Sequence, residues 1–364
     1  MKVSVVLCTA RDDHCLVDLP DVHLFTPTVV SLQKQTFRDF ELIVVDALQS
    51  QREGFFRNVG FPVKHIPPKA SPFASNGMWA VCNAMNTALL HAEGELIVKV
   101  DDASQFAPGY LQRIWNWYSI GLFPLSLVRY RRGGATVRFD DSARSYYLSQ
   151  MGNAAEAEYG NLAKEKLDTL ETLYGKGNAI DDSRLPYMKE SFAVAPWNWV
   201  YGYVAAPLEL FLDLNGYDEA FDGKKSLEDV DLGLRAYNMG HKDSFILEKG
   251  LWAEENFHSL VSERVVWSRA RPAMCNYAIL RLHENQKVTR ANTRRFTSQE
   301  LSFLKKESQK TPCSHSGGAD YDLGEAFRFW AENVPVFDLK TMRRELAGGR
   351  AGGSTRVPGQ REGS

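Results

Sequence analysis

Residues 75–102 read SNGMWAVCNAMNTALLHAEGELIVKVDD. Ser75 and Asn76 stand before a stretch of helical composition from Met78 to His91. Gly94 closes it, and Leu96-Ile97-Val98-Lys99-Val100 follows as a short apolar strand ending on Asp101 and Asp102. A polar start, a glycine stop and a β-branched run make one helix–strand unit. The same unit recurs upstream. Val3-Ser4-Val5-Val6-Leu7 runs into the polar turn Thr9-Ala10-Arg11-Asp12-Asp13. Thr28 to Gln35 has helical composition, and Leu42-Ile43-Val44-Val45 ends in Asp46. Near-continuous apolar strands alternating with helices predict an α/β fold whose mostly parallel central sheet is covered on both faces. Ligands bind such sheets beyond the carboxyl ends of the strands, which here carry Thr9, Ala10, Arg11, Asp46, Asp101 and Asp102.

Further along, Leu125 to Arg131 and Ala135 to Phe139 flank Gly133-Gly134 as a hairpin would. Ala154 to Lys176 has apolar residues at helical spacing, and Trp197 to Tyr203 holds four aromatics in seven residues. Helical stretches are expected at Leu208 to Leu214 and Glu228 to Met239, separated by the turn Asn215-Gly216-Tyr217-Asp218. Between Val261 and Lys310 eleven Lys and Arg stand against four Glu, a local balance of +7. The last twenty residues hold six glycines, so a disordered tail is expected from about residue 341.

A chain of 364 residues is long enough for a large catalytic domain plus an appendage. With 44% hydrophobic and 24% charged residues it is neither a disordered chain nor a collagen-like fibre. No uninterrupted apolar run reaches the roughly 18 residues of a membrane span, and the first apolar segment is too short for a signal peptide. A net charge of -2 gives no whole-chain basic field. The cysteines at 8, 15, 82, 275 and 313 lack paired metal spacing, which favours reduced thiols and a cytoplasmic location.

Three blocks in chain order resemble the family 2 glycosyltransferases of GT-A fold. The first is Ser31-Leu32-Gln33-Lys34-Gln35-Thr36-Phe37 with Phe40-Glu41-Leu42-Ile43-Val44-Val45-Asp46. The second is Ala84-Met85-Asn86 with Ala92-Glu93-Gly94-Glu95-Leu96-Ile97. The third is Asn215-Gly216-Tyr217-Asp218-Glu219 with Glu228-Asp229-Val230-Asp231-Leu232-Gly233-Leu234-Arg235. The match spans roughly residues 1–258, with 1–120 as a nucleotide-binding half and 121–258 as an acceptor half carrying an insert at 130–196. A basic helical extension at 259–340 and the tail complete the chain.

The resemblance implies an inverting transfer of sugar from a nucleoside diphosphate sugar, a UDP-sugar as first expectation, to a hydroxyl acceptor such as a saccharide or glycolipid precursor. Thr9, Ala10, Arg11, Asp46, Asn86 and Asp101 fall at nucleotide-binding positions. A divalent metal, Mn²⁺ or Mg²⁺, takes up charge on the leaving diphosphate in such enzymes. Its expected ligands are Asp101, Asp102 and His258, although the last acid of the family's D-x-D motif is Ala103 here and an Arg expected before Asn86 is Met85. Asp229, with Glu228 beside it, falls at the general base, which must reach the acceptor hydroxyl. Trp199, Tyr217 and Asp218 fall near the donor sugar or acceptor.

Each assignment has a plain alternative. Asp101-Asp102 and Asp46 end strands in polar turns. Glu228-Asp229 suits the first turn of any helix. A lone His258 is more often structural, and the aromatic run reads equally as a core strand. Ala103 also leaves open a protein that binds nucleotide sugar without turnover. The basic segment with Trp267, Tyr277 and Phe296 allows a nucleic-acid acceptor. A nucleotidyltransferase is disfavoured, because Thr9 to His14 has no glycine for a phosphate loop.

Overall fold

The computed structural model describes residues 1–10, 15–16, 19–76, 78, 80–102, 104–131, 180–181, 192–194, 200, 202–223, 227–256, 276–310 and 323–351. The described strands are β1 (Val3–Thr9), β2 (Cys15–Leu16), β3 (Leu19–His23), β4 (Phe40–Asp46), β5 (Val63–Ile66), β6 (Leu96–Val100), β7 (Ser104–Phe106), β8 (Phe123–Arg131), β9 (Ile180–Asp181), β10 (Phe192–Val194), β11 (Val204–Pro207) and β12 (Phe245–Asn256). The described helices are α1 (Thr26–Gln33), α2 (Pro72–Ser75), α3 (Val81–His91), α4 (Tyr110–Ser119), α5 (Leu208–Asp213), α6 (Glu228–Asn238), α7 (Asn276–Gln286), α8 (Ser298–Lys310), α9 (Leu323–Asn333) and α10 (Leu339–Ala351).

One mixed sheet runs β10-β12-β8-β11-β6-β1-β4-β5, with β7 on β12 and β9 on β8. The four strands β5, β4, β1 and β6 are parallel neighbours; the near-continuous apolar runs of β1, β4 and β6 predict this, whereas half-buried β5, Val-Lys-His-Ile, gives no such signal. Antiparallel β11 then joins β6 to β8, and β8 pairs in parallel with β12. All seven residues of β4 and all five of β6 are buried. Alternate side chains go to opposite faces. Val6, Ile43, Val45 and Ile97 pack with Met85, Ala88 and Leu89 of α3, while Val5, Leu7, Leu42, Val44 and Val98 pack with Leu32, Leu111 and Ile114. Each such aliphatic side chain contributes roughly 1.5–3 kcal/mol of burial.

A set of polar side chains braces the ends of the sheet opposite the rim. Ser4 donates to Glu41 Oε1 at 2.6 Å, the Glu93 amide to the same oxygen at 2.7 Å, and Lys64 lies 2.8 Å from Oε2. Gly94 packs so close to the backbone of Val3 and Ser4 that any Cβ would collide there. Buried Gln35 donates to Ser31 O and Ala107 O and accepts from the Leu111 amide, tying α1 to the start of α4.

Helix α3 starts at Val81 rather than Met78. Its first turn is capped by Asp222, which accepts from the amides of Cys82 and Asn83 at 2.9 and 3.0 Å. That partner is about 140 residues distant, so no local signal marks the start. Ser71 caps the short α2 instead, accepting from Phe73 and Ala74. The C-terminal helices share the main core: Ile279, Leu282, Leu304, Trp330 and Leu339 join the cluster that holds Met85 and Leu89. Helix α10 extends to Ala351, so the start of the expected tail is helical. The second arm of the expected hairpin, the helix at 154–176 and residues 352–364 lie outside the described residues.

Candidate active site

The carboxyl ends of β1, β4 and β6 form one rim because these strands are adjacent and parallel. Across it the Thr9 hydroxyl donates to Asp102 Oδ2 at 2.7 Å, and both side chains are buried. Ala10 is exposed beside them. Asp46 is turned inward. Its Oδ1 accepts from the Leu48 amide at 2.8 Å and Arg52 at 3.0 Å, and its Oδ2 lies 3.0 Å from His65 Nε2. Burial pushes this carboxyl up, but the His65 and Leu48 hydrogen bonds with the Arg52 charge outweigh it and hold it below its ordinary value.

Lys99 organises the centre of the rim. In a strand, residues two apart share a face, so Lys99 and Asp101 point the same way from β6. Lys99 Nζ lies 3.3 Å from Asp101 Oδ1 and 3.5 Å from Asp229 Oδ1. The lysine is 7% exposed, Asp229 16% and Asp101 38%, so the trio sinks from an open acidic mouth to a buried ammonium. Burial lowers the Lys99 pKa, but Asp101 and Asp229 together drive it well above the ordinary value. Burial raises the Asp229 carboxyl, Lys99 pulls it back and Asp101 raises it further, leaving it above the ordinary carboxylate value. Asp229 Oδ1 and the Tyr217 hydroxyl are both buried without a hydrogen bond of ordinary geometry among the described residues. A Cβ at Gly202 would come within 2.5 Å of Asp101 Oδ2, so a side chain there would push the Asp101 carboxylate aside.

Asp229 arrives from the first turn of α6, whose start is set by Leu227 in the left-handed conformation at φ 73°. A non-glycine residue held there stores about 1 kcal/mol. Glu228 precedes Asp229 on the same turn and is half-buried.

The turn before α6 is held by Asn86. Its side-chain amide donates to Tyr217 O and Glu219 Oε1, and its carbonyl accepts from the Tyr217 amide at 2.8 Å. Asn86 is fully buried, so it positions the turn. Met85, where an Arg was expected, is buried beside Cys8. Asp218 accepts from the Ala220 amide and faces His283 Nε2 at 3.5 Å. Asp231 bonds Arg235 Nε at 2.7 Å and His283 Nδ1 at 2.6 Å. Burial lowers the His283 pKa, and Asp231 with Asp218 reverses this to a net rise.

Metal fit divides between two places. At Asp101 no set of three ligating side chains gathers among the described residues: Thr9 takes Asp102 Oδ2, Lys99 faces Asp101 Oδ1, and Ala103 brings no side-chain donor. The residues that could hold an ion are Asp218, Asp231 and His283, each offering one ligand atom within 4.8 Å of the others. All three are buried under the turn rather than at the strand ends.

The structure thus brings together Thr9, Asp101, Asp102, Asp229 and Tyr217, and places Asp46 and Asn86 in supporting networks. Arg11, Trp199 and His258 lie outside the described residues. Lys99 and His283 escaped the sequence reading. A single charge within the apolar run 96–100 was the available signal for Lys99. His283 had none, because it meets Asp231 across 52 residues. In the basic segment, Arg290 pairs with Asp338, Arg294 with Glu300, and Phe296 stacks on Trp330 at 5.3 Å. No described helix is long and apolar enough to cross a membrane.

No protein-family profile matches the chain, and no curated protein matches its sequence. Among solved structures the chain is similar to S. aureus TarS, at 17% identity and TM-score 0.46, over 96% of this chain and 53% of that one. It is similar to S. aureus TarS 1-349 in complex with UDP-GlcNAc, at 14% identity and TM-score 0.49, over 98% and 93%. It is also similar to GalNAc-T7 with UDP, GalNAc and Mn²⁺, at 12% identity and TM-score 0.48, over 96% and 57%. The chain spans about half the length of the first of these.

Proposed function

We propose that this chain is an inverting glycosyltransferase of GT-A type, moving a sugar from a nucleoside diphosphate sugar to a hydroxyl of a saccharide or glycolipid precursor. The observation that supports it is the meeting of Asp101, from a strand end, and Asp229, from a helix start 128 positions later in the numbering, on one buried lysine. Diphosphates are bound beyond the carboxyl ends of parallel strands in open α/β sheets, and the exposed side of Asp101 and Ala10 opens on that edge.

Asp229 is the base. Its carboxyl is raised by burial, which makes it a stronger proton acceptor than a solvated aspartate. The acceptor hydroxyl oxygen attacks the anomeric carbon as its proton passes to Asp229. The bond from that carbon to the diphosphate oxygen breaks, its electron pair leaving with the diphosphate. Attack opposite the leaving group inverts the anomeric centre. Lys99 holds Asp229 against the site, and Asn86 fixes the turn that brings Tyr217 beside it. Thr9, Ala10 and Arg11 are assigned to the nucleotide edge and Trp199 to the sugar side, while Asp218, buried against the Ala220 amide and His283, braces the turn that carries Tyr217.

A thermal-shift panel of uridine and guanosine diphosphate sugars tests the reading. At a ligand concentration of about 100 times Kd, the stabilisation is about 2.7 kcal/mol, a shift of several degrees. A flat response to every nucleoside diphosphate and its sugars at millimolar concentration would contradict it.

A further inference from the structure

We infer that Lys99 takes the place of a divalent cation in this site, so that the chain binds its nucleoside diphosphate without a metal. This rests on the nucleotide-sugar reading above. A diphosphate placed beside Asp101 and Asp229 needs fixed positive charge there, because two carboxylates alone repel it. The D-x-D pattern would meet that need by gathering a metal on two acids. Here the second acid is Ala103, and Asp102 is drawn away by the Thr9 hydroxyl at 2.7 Å. The ammonium of Lys99 instead stands 3.3 Å from Asp101 and 3.5 Å from Asp229, in contact with both acids at once.

The arrangement is built rather than incidental. Lys99 is the fourth of five residues in a fully buried strand, at 7% exposure, where only paired charges are tolerated. Both of its partners come from the proposed reaction site, and they approach from different elements. A metal bound at Asp101 would have to displace the lysine from Oδ1 or lie close beside its positive charge, and either outcome opposes metal uptake. The cluster with ligand spacing among the described residues, Asp218, Asp231 and His283, lies buried under the turn rather than beside Asp101.

The experiment is calorimetric titration of the full chain with UDP and with GDP, in EDTA and in excess Mn²⁺. The expected result is that the better-bound nucleotide keeps its Kd within about two-fold between the two conditions. Lys99→Met should lose about ten-fold or more in EDTA, the loss of one charge-assisted contact. Mn²⁺ should restore part of that loss, because removing the ammonium leaves Asp101 and Asp229 to take an ion. Lys99→Arg, which keeps the positive charge, should lose less affinity in EDTA than Lys99→Met and gain no metal requirement. Mn²⁺ rescue is a response that a purely structural lysine would not produce. If Lys99→Met does not fold, the wild type and Lys99→Arg titrations still decide. Wild-type binding that vanishes in EDTA and returns with Mn²⁺ would overturn the inference while leaving the transferase reading standing. Absence of binding by either nucleotide under both conditions would overturn the two together.

Discussion

Asp229 combines two properties that seldom coexist in a carboxylate: it is mostly buried, and its raised proton affinity is moderated by a single lysine. The sign of its pH effect follows. A base acts only when deprotonated, so the rate should rise with pH through a value above the ordinary 3.8 of an aspartate and then level. A pH–rate profile checks this, and an acid limb at or below that value would remove the base assignment. The network at His283 titrates in the opposite functional sense, on stability. Its folded pKa lies above 6.5, so its contribution is fully present below 6.5 and is lost as pH rises through the folded value. Denaturant unfolding of the wild type should therefore weaken across that window, and His283→Gln should be less stable at pH 6 with a flatter dependence. An unchanged slope in the variant would show that the proton resides elsewhere.

Among the elements, the 215–219 turn links the N-terminal sheet layer to the C-terminal helices. Asn86 of α3 bonds Tyr217 on one side, and Asn292 bonds Asn215 O and Tyr217 O on the other. Gly216 has φ 75°, and a Cβ there would strike both Asn86 Oδ1 and Leu339. Gly216→Ala should cost more than about 1 kcal/mol of stability, because the left-handed conformation and the contact both oppose a side chain. Chemical denaturation would reveal it, and a neutral result would mean that the turn relaxes freely. The turn and helix α6 were legible in the sequence because Asn-Gly and an acidic first turn are local signals. What anchors them was not legible. Asn86, Asp222 and Asn292 act over 70 to 140 positions, and hydrogen-bond partners at that separation leave no periodicity. The lysine in β6 was visible as a lone charge in an apolar run, yet its meaning depended on where Asp229 would arrive.

In the whole molecule, the order β1, α1, β4, α3, β6 within residues 1–102 was readable because near-continuous apolar strands are needed wherever both sheet faces are covered, whereas β5, with Lys64 and His65 in four residues, was not. The insertion of β11 antiparallel between β6 and β8 was not, since a four-residue strand carries too little pattern to fix its direction. The C-terminal segment looked separable by its charge, but it completes the main core through Trp330 and Leu339 and caps α3 through Arg343, which donates to Leu89 O and Ala92 O. The chain should therefore melt in one calorimetric transition, with a second, independent transition for the helices contradicting this packing. The proposed chemistry concentrates on one carboxylate beside one lysine. Its most direct measurement is release of nucleoside diphosphate from the donor sugar that the protein binds, compared between wild type and Asp229→Asn at saturating donor and acceptor. The expected result is a fall in turnover of at least about 10²-fold with donor affinity nearly unchanged. Wild-type turnover in Asp229→Asn would contradict it.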